Sequence, residues 1–251
     1  GSGRVTELLL GNMTDTQRLE YVFTVQQRIA QVARERPHEG FTSLNHYLDV
    51  EWLKAAYERV KPDSAPGIDG QSWADYGKDL EKNLLSLLNR VKSGRYAAPP
   101  VKRVHIPKGD GPETRPIGMP TIEDKVLQRA VAMLLTPIYE QDFKCFSYGF
   151  RPGRSAHEAL ACVWSQGTTQ RIAWILDVDV RKYFDTLKQA CLRGFLDLRV
   201  RDGVLRRLIG KWLQAGVLDR GNVSYPEDGT PQGGVISPLL ANIYFRRFLV
   251  A

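Results

Sequence analysis

The sequence is poor in the residues that build disulfide frameworks and zinc sites. It contains three cysteines and four histidines in 251 residues. None of these residues shows the spacing of a zinc finger or of an HExxH helix, which disfavours zinc hydrolase chemistry. An odd number of scattered cysteines also disfavours a disulfide scaffold, so we expect a reducing, cytoplasmic compartment.

Long apolar runs are missing as well. The most apolar stretches, residues 131–135 and 172–176, are far shorter than the roughly 20 residues that a membrane-spanning helix needs. The chain begins with Gly1-Ser2-Gly3, which resembles a cloning remnant, and no signal peptide follows. We therefore expect no membrane partner.

The composition is that of a packed protein with an excess of positive charge. Hydrophobic residues make up 43% of the chain and charged residues 25%, which is near the average for globular domains. Lys and Arg total 35 against 28 Asp and Glu, for a net charge of +7. This balance favours a polyanionic partner, with nucleic acid as the leading candidate.

Apolar periodicity and turn residues predict a largely helical chain with one hairpin. A capping pair at Thr121 and Asp124 and a capping box at Ser155 and Glu158 each predict the start of a helix. The predicted elements are helices over residues 15–36, 50–60, 80–91 and 122–135, a basic hairpin over residues 101–118, a helix after Ser155 and a helix opened by Ser237-Pro238.

Two basic regions are candidates for phosphate binding. Arg151 and Arg154 lie just before a helix N-terminus, where free N–H groups and the helix dipole favour an anion. Residues 193–211 form a basic helical stretch. That stretch is most simply a solvated face, with tracking of a phosphate backbone as the alternative.

A short apolar segment ends in two carboxylates. Residues 172–176 are predicted to form a buried strand that terminates in Asp177-Val-Asp179. In a strand Asp177 and Asp179 share one face. Ionised groups there are costly unless they are solvated, paired or bound to a metal.

Several motifs, in a fixed order, resemble those of group II intron reverse transcriptases. The resemblance covers about residues 50 to 248, with a looser fit to the helical N-terminal extension of that family before it. The motifs are Ala65-Pro-Gly-Ile-Asp-Gly70, Ile106-Pro-Lys108 with Arg115-Pro-Ile-Gly118, Tyr148-Gly-Phe-Arg-Pro-Gly153, Asp179-x4-Phe184-Asp185 and Thr230-Pro-Gln-Gly-Gly-x2-Ser-Pro-Leu-Leu-Ala-Asn-Ile243.

The resemblance implies a nucleotide site. Lys108 and Arg115 match the residues that grip the triphosphate of the incoming deoxynucleotide, since a point charge and a bidentate fork suit polyphosphate. Asp179 matches a catalytic Mg²⁺ ligand, with the Val180 carbonyl as a second hard oxygen donor. Phe184 matches the bulky residue that excludes a ribose 2′-hydroxyl.

The resemblance also implies contacts with the template. Gln232 belongs to the Pro-Gln-Gly motif that lines the nucleotide and template site, and Gly233 and Gly234 permit close approach of the backbone. Arg151 and Arg154 match contacts with the template-strand backbone.

The implied fold is α/β, of the α+β kind, with the fingers and an incomplete palm of a right-hand polymerase. We expect a tag remnant and helical N-terminal extension at 1–60, fingers at 61–171 and a partial palm with inserted helices at 172–251, with the thumb absent.

One departure from the family limits the expected activity. The family's Tyr-x-Asp-Asp motif occurs nowhere in the sequence, and one aspartate is too few for two-metal phosphoryl transfer. We therefore expect a fragment of an RNA-directed DNA polymerase, truncated within the palm and inactive alone. The implied partners are Mg²⁺, an RNA template, intron RNA, a DNA primer and deoxynucleotides, and a homodimer is left open.

Two alternative functions remain open from the sequence. An RNA-binding maturase module that assists intron splicing would need no complete palm. Reverse transcriptases associated with CRISPR arrays, retrons or hypervariation cassettes share the same motif order, although the motif spellings favour the group II type.

Overall fold

The computed structural model describes residues 13–107, 109, 111–170, 172–230 and 233–247. The helices are α1 (Asp15–Glu35), α2 (Val50–Glu58), α3 (Trp73–Lys78), α4 (Leu80–Lys92), α5 (Ile122–Tyr139), α6 (Ala156–Thr169), α7 (Tyr183–Thr186), α8 (Gln189–Asp197), α9 (Gly203–Leu213) and α10 (Ser237–Arg246). The strands are β1 (Val101–Pro107), β2 (Thr114–Met119), β3 (Val217–Asp219) and β4 (Asn222–Ser224). This mixed α/β architecture confirms the predicted fold class.

The sheet has the strand order β2-β1-β3-β4. Strands β1 and β2 pair antiparallel, with Ile106 opposite Arg115, which confirms the predicted hairpin. Strand β3 lies parallel to β1 and antiparallel to β4. Arg220 and Gly221, at φ of 49° and 87°, form the tight turn between β3 and β4, since positive φ at both positions matches the strand twist.

Helix α5 lies at the centre of the hydrophobic core and packs against α1 and α2. Pro137 lies inside this helix, which the sequence predicted to end at Leu135. Proline lacks the N–H that would bond to the carbonyl of Met133. Gln26 of α1 supplies the missing donor, with its Nε2 2.9 Å from that carbonyl oxygen, so the helix runs on to Tyr139.

Arg199 and Asp202 hold the backbone of α1 and of the segment that follows it. Asp202 accepts hydrogen bonds from the backbone N–H groups of Leu44 and Asn45, at 2.7 and 2.8 Å, and also caps α9. Arg199 donates from Nη2 to the Ala33 carbonyl at 2.9 Å. Burial opposes ionisation of Asp202, but the hydrogen bonds it accepts from Asn45 and from backbone amides hold its pKa below the usual value. The basic stretch 193–211 is therefore two helices, divided at Asp202.

The predicted strand over residues 172–176 is wrong in this structure. Residues 172–180 carry no strand pairing. Trp174 is 91% exposed and Leu176 87% exposed. A run of this kind needs neighbouring strands to satisfy its backbone and cover its side chains, and none of the described strands pairs with it.

A buried polar network centres on Asp124 of α5. Tyr96 donates its hydroxyl to Asp124, and Trp212 donates from Nε1 to the same carboxylate oxygen at 3.0 Å. Gln128, one turn further along α5, accepts a hydrogen bond from the backbone N–H of Ile236 at 3.3 Å. The network joins α5 to the chain before β1, to α9 and to the segment before α10.

The carboxyl group of Asp124 gives the fold a defined pH dependence. Burial raises the pKa of Asp124 to about 6, above the usual 3.8, so the folded state holds this proton more tightly than the unfolded chain does. The stability that this group contributes is complete below about pH 4 and is lost as the pH rises through about 6.

We expect Asp124→Asn to remove this dependence, because the amide does not ionise. In urea unfolding at about pH 4.5 and pH 7, the free energy of unfolding of the wild type should fall, relative to the variant, by about 2 kcal/mol as the pH rises. Parallel pH profiles for the two proteins would contradict this assignment.

None of the helices in the described ranges combines the length and the apolar character required to cross a membrane.

Candidate nucleotide and nucleic-acid site

Gly233, in the Thr-Pro-Gln-Gly-Gly motif, lies directly against the hairpin. Gly233 has φ of +97°, and a Cβ at this position would lie 2.2 Å from the carbonyl oxygen of Gly118 in β2. Only glycine allows this approach without displacing backbone. The Thr-Pro-Gln-Gly-Gly motif and the Arg-Pro-Ile-Gly motif are therefore in backbone contact.

The same segment also holds the turn that follows Asp179. The backbone N–H of Thr230 donates to the carbonyl of Phe184 at 2.8 Å, and that of Gly229 donates to the carbonyl of Leu187 at 2.7 Å. The Tyr183 hydroxyl donates to the carbonyl of Ala241 in α10 at 2.7 Å. These bonds fix helix α7, which carries Phe184, against the loop and helix at the end of the described chain.

The Tyr-Gly-Phe-Arg-Pro-Gly motif contacts helix α7 through Phe150. The rings of Phe150 and Phe184 meet edge to face, with centroids 6.2 Å apart, and Asn242 donates from Nδ2 to the Gly149 carbonyl at 2.8 Å. Phe150 and Lys182 both adopt left-handed backbone conformations, at φ of 54° and 49°. Such conformations in non-glycine residues cost about 1 to 3 kcal/mol and are concentrated at functional sites.

The loop with the Ala-Pro-Gly-Ile-Asp-Gly motif packs onto the N-terminus of α5. A Cβ at Gly67 would lie 2.5 Å from the backbone nitrogen of Thr121, the residue that caps the helix. Lys125 donates from Nζ to the Ser64 hydroxyl at 2.8 Å and to the Ala65 carbonyl at 2.5 Å. Burial lowers the pKa of Lys125.

A cavity of about 410 Å³ lies between the hairpin, helix α7 and the segment over residues 225–230. Its lining includes Arg103, Gly118, Asp185, Asp228 and Thr230. The hydroxyl oxygen of Thr230 is buried and has no hydrogen-bond partner within the described part of the chain. The cavity therefore has charged groups of both signs and one polar atom that remains to be satisfied.

None of the sequence-predicted nucleotide residues that the structure describes lines this cavity. Asp179, Val180 and Arg115 are exposed, and none of the three belongs to the cavity lining. Lys108 and Gln232 lie outside the described residues. The roles predicted for all five remain predictions.

The donor chemistry at Asp179 suits Mg²⁺ only in part. A carboxylate and the Val180 carbonyl are the hard oxygen donors that this ion prefers. Across the ranges that the structure describes, however, no group of three or more His, Cys, Asp or Glu residues could hold a metal ion. The described residues therefore supply only part of the ligand set of a metal site.

The two predicted template arginines differ sharply. Arg151 is buried and donates to Glu140 from Nη2 at 2.8 Å and to the carbonyls of Lys144 and Ser147 from Nη1. Its donors are thus occupied within the protein, which gives it a positioning role and does not favour the predicted template contact. Arg154 is exposed beside the ring of Tyr148, 5.5 Å from its centroid, where a phosphate can reach it.

These environments predict effects of very different size on stability. Arg151→Gln should lower the free energy of unfolding by about 3 kcal/mol, because the variant leaves buried carbonyls and a half-buried carboxylate unpaired. Arg154→Gln, the matched control in the same loop, should change it by less than about 0.5 kcal/mol. Urea unfolding measures both. Equal losses in the two variants would contradict this distinction.

Sequence reasoning does not find the buried residues of α5 that hold the segments of the site in place. The sequence predicts only a capping role for Asp124 and none for Gln128, yet Gln128 accepts a hydrogen bond from the backbone N–H of Ile236. The available signal is the spacing of Asp124 and Gln128, which lie four positions apart and so share one face of α5 with the apolar residues Leu127 and Val131.

Comparisons with known proteins agree with this arrangement of motifs. Residues 106–250 match the family described as Reverse transcriptase (RNA-dependent DNA polymerase). The chain is 39% identical over 204 residues to Protein YkfC of Escherichia coli (strain K12), over 79% of this chain and 53% of that protein. It is 35% identical over 223 residues to the group II intron-encoded protein LtrA of Lactococcus lactis subsp. cremoris, over 88% of this chain and 37% of that protein.

A solved structure shares the fold. A chain of the "Partial Cas6-RT-Cas1--Cas2 complex" superposes with a TM-score of 0.54 at 21% identity, over 80% of this chain and 33% of that one. The present chain therefore belongs to the reverse transcriptase family and is homologous to group II intron-encoded proteins. It spans between about a third and a half of the length of these relatives.

Proposed function

We propose that this chain is the fingers and part of the palm of an RNA-directed DNA polymerase that binds intron RNA. The observation that carries the proposal is the convergence of the motifs on one site. Gly233 contacts Gly118, Thr230 holds the backbone of Phe184, and Phe184 meets Phe150. The left-handed backbone of Phe150 and Lys182 at this place is of the kind that clusters at functional sites.

The proposed roles follow from the chemistry of the side chains. Lys108 and Arg115 bind the triphosphate, and Phe184 excludes a ribose 2′-hydroxyl by its bulk. Asp179 and the Val180 carbonyl hold Mg²⁺, which when bound neutralises charge on the transferring phosphate. Gln232, Gly233 and Gly234 line the nucleotide and template site. Arg154 contacts the template-strand backbone.

The exposed palm segment supports the proposal that these residues need further polypeptide. Residues 172–180 present large apolar side chains to solvent, and the neighbouring helix α6 exposes Leu160, Val163 and Trp164 as well. We propose that the remaining palm strands of the same enzyme cover this face and bring the second set of carboxylates. The alternative occupant is a second copy of the chain, and sedimentation velocity distinguishes the two.

A maturase-like RNA-binding module is the second candidate function. It is favoured by relatives that are named intron maturases, such as Nuclear intron maturase 4, mitochondrial, of Arabidopsis thaliana. This role needs the basic fingers but not nucleotidyl transfer.

The free thiols of all three cysteines are compatible with the reducing, cytoplasmic compartment that we propose for either function.

RNA binding is expected to be strongly dependent on salt. If the chain neutralises roughly six phosphates of structured RNA, the log–log plot of the association constant against salt should have a slope of about −4 to −5. Filter binding over a range of KCl concentrations measures this slope. A flat response would count against both candidate functions.

Primer extension tests the polymerase function itself. With an RNA template, a DNA primer, Mg²⁺ and deoxynucleotides, the 251-residue chain should give no product, because one carboxylate does not hold two cations. The longest natural polypeptide that contains this sequence should extend the primer, and Asp179→Asn should abolish that extension.

The matched control for this experiment is Glu81→Gln, an exposed carboxylate of α4, which should leave extension unchanged. RNA binding without extension in the longest polypeptide would favour the maturase-like module. Extension by the 251-residue chain itself, lost in Asp179→Asn, would contradict the requirement for further polypeptide.

A further inference from the structure

A basic groove lies between α8 and α9, outside the set of motif residues. Its volume is about 480 Å³, and its lining includes Arg193 of α8 and Arg206, Arg207 and Lys211 of α9. Asp197 is the one acidic residue among the lining residues that the structure describes. The groove therefore collects positive charge from two helices.

Two glycines shape the floor of the groove. Gly203 and Gly210 lie two turns apart on the same face of α9. A Cβ at Gly210 would lie 3.8 Å from Nη2 of Arg193, and a Cβ at Gly203 would lie 3.3 Å from Nη1 of Arg207. Each guanidinium group thus lies beside a glycine, where α9 has no side chain, and the groove stays open between the two groups.

The four cations differ in what they bind within the protein. Arg206 pairs with Asp197, with Nε 2.6 Å from Oδ1. Lys211 donates from Nζ to the carbonyls of Gly94, at 2.9 Å, and Tyr96. Arg193 and Arg207 are exposed and have neither an ion pair nor a hydrogen bond to any described residue. Two guanidinium groups are therefore available to an external ligand.

The chemistry of this groove identifies the ligand class. Neighbouring cations without carboxylates repel one another, and a polyanion removes that repulsion. The planar arginine fork binds phosphate oxygens in a bidentate manner, which a lysine cannot do. We propose that the groove between α8 and α9 binds the phosphate backbone of RNA, as a contact surface additional to the nucleotide and template site.

The position of α9 connects the groove to the fingers. After α9 the chain enters β3, and the backbone N–H of Val101 in β1 donates to the carbonyl of Gly216 at 2.7 Å. Strand β1 is part of the hairpin that carries the predicted triphosphate residues. The helix that forms one wall of the groove therefore leads directly into the sheet that contains the hairpin. This inference rests on the RNA binding in the proposed function.

The test compares two double variants of equal charge change. Arg193→Gln with Arg207→Gln removes the two available guanidinium groups, and Lys61→Gln with Lys82→Gln removes two exposed cations elsewhere. Fluorescence anisotropy with labelled oligouridine, over a range of KCl, measures binding by each variant and by the wild type. Matching thermal unfolding curves show that both variants are folded.

We expect the groove variant to bind RNA on the order of 10-fold more weakly than the control variant. Its log–log salt slope should be less steep by about 1.4, for two phosphate contacts with single-stranded RNA. Equal affinities and slopes in the two variants, with salt-dependent binding by the wild type, would overturn the groove and leave the proposed function standing.

Two other outcomes also decide the question. If the wild type itself shows no salt-dependent binding, the proposed function fails and the groove fails with it. If the groove variant loses binding to phosphatidylglycerol vesicles but keeps its affinity for RNA, the groove serves an anionic lipid surface and the RNA assignment is overturned.

Discussion

The buried carboxyl group of Asp124 is the constraint on which the arrangement of the site depends. It receives hydrogen bonds from Tyr96, which precedes the hairpin, and from Trp212 of α9. Gln128, on the same face of α5, holds the backbone of Ile236. These elements are far apart in the chain, and a polar group inside an apolar core has few alternative partners. Their relative positions are therefore set by the core, before any ligand arrives.

The motif glycines act mainly between segments of the protein. Gly67 lies against Thr121, Gly229 against the backbone of Phe184, and Gly233 against Gly118. In each case the nearest atom that a Cβ would meet belongs to the protein's own backbone. The site is consequently built by backbone packing, and the exposed side chains are carried on it. Arg151 and Arg154 illustrate this division. The guanidinium group of Arg151 is hydrogen-bonded to Lys144 and Glu140 of the protein, whereas Arg154, three residues away, stays exposed.

The parts of the fold that depend on neighbouring residues in sequence were predictable. Thr121 and Ser155 cap their helices as expected, and the hairpin pairs as expected, because capping and turn chemistry act over a few positions. The burial of Arg151 was not predictable, since its acceptors come from a loop without a local signature. The prediction of a strand over residues 172–176 is wrong for a related reason. Their apolar composition fits a central strand, but composition does not supply the neighbouring strands.

The exposed run from Ile172 to Leu176 has a consequence for how the chain behaves at high concentration. It contains no charge, no proline and no glycine, and unpaired strands of this composition are templates for cross-β stacking. Arg171 precedes the run and Asp177 follows it, and charges that flank an apolar strand act as gatekeepers against fibril growth. We therefore expect the charge of Asp177 to oppose self-association of this run.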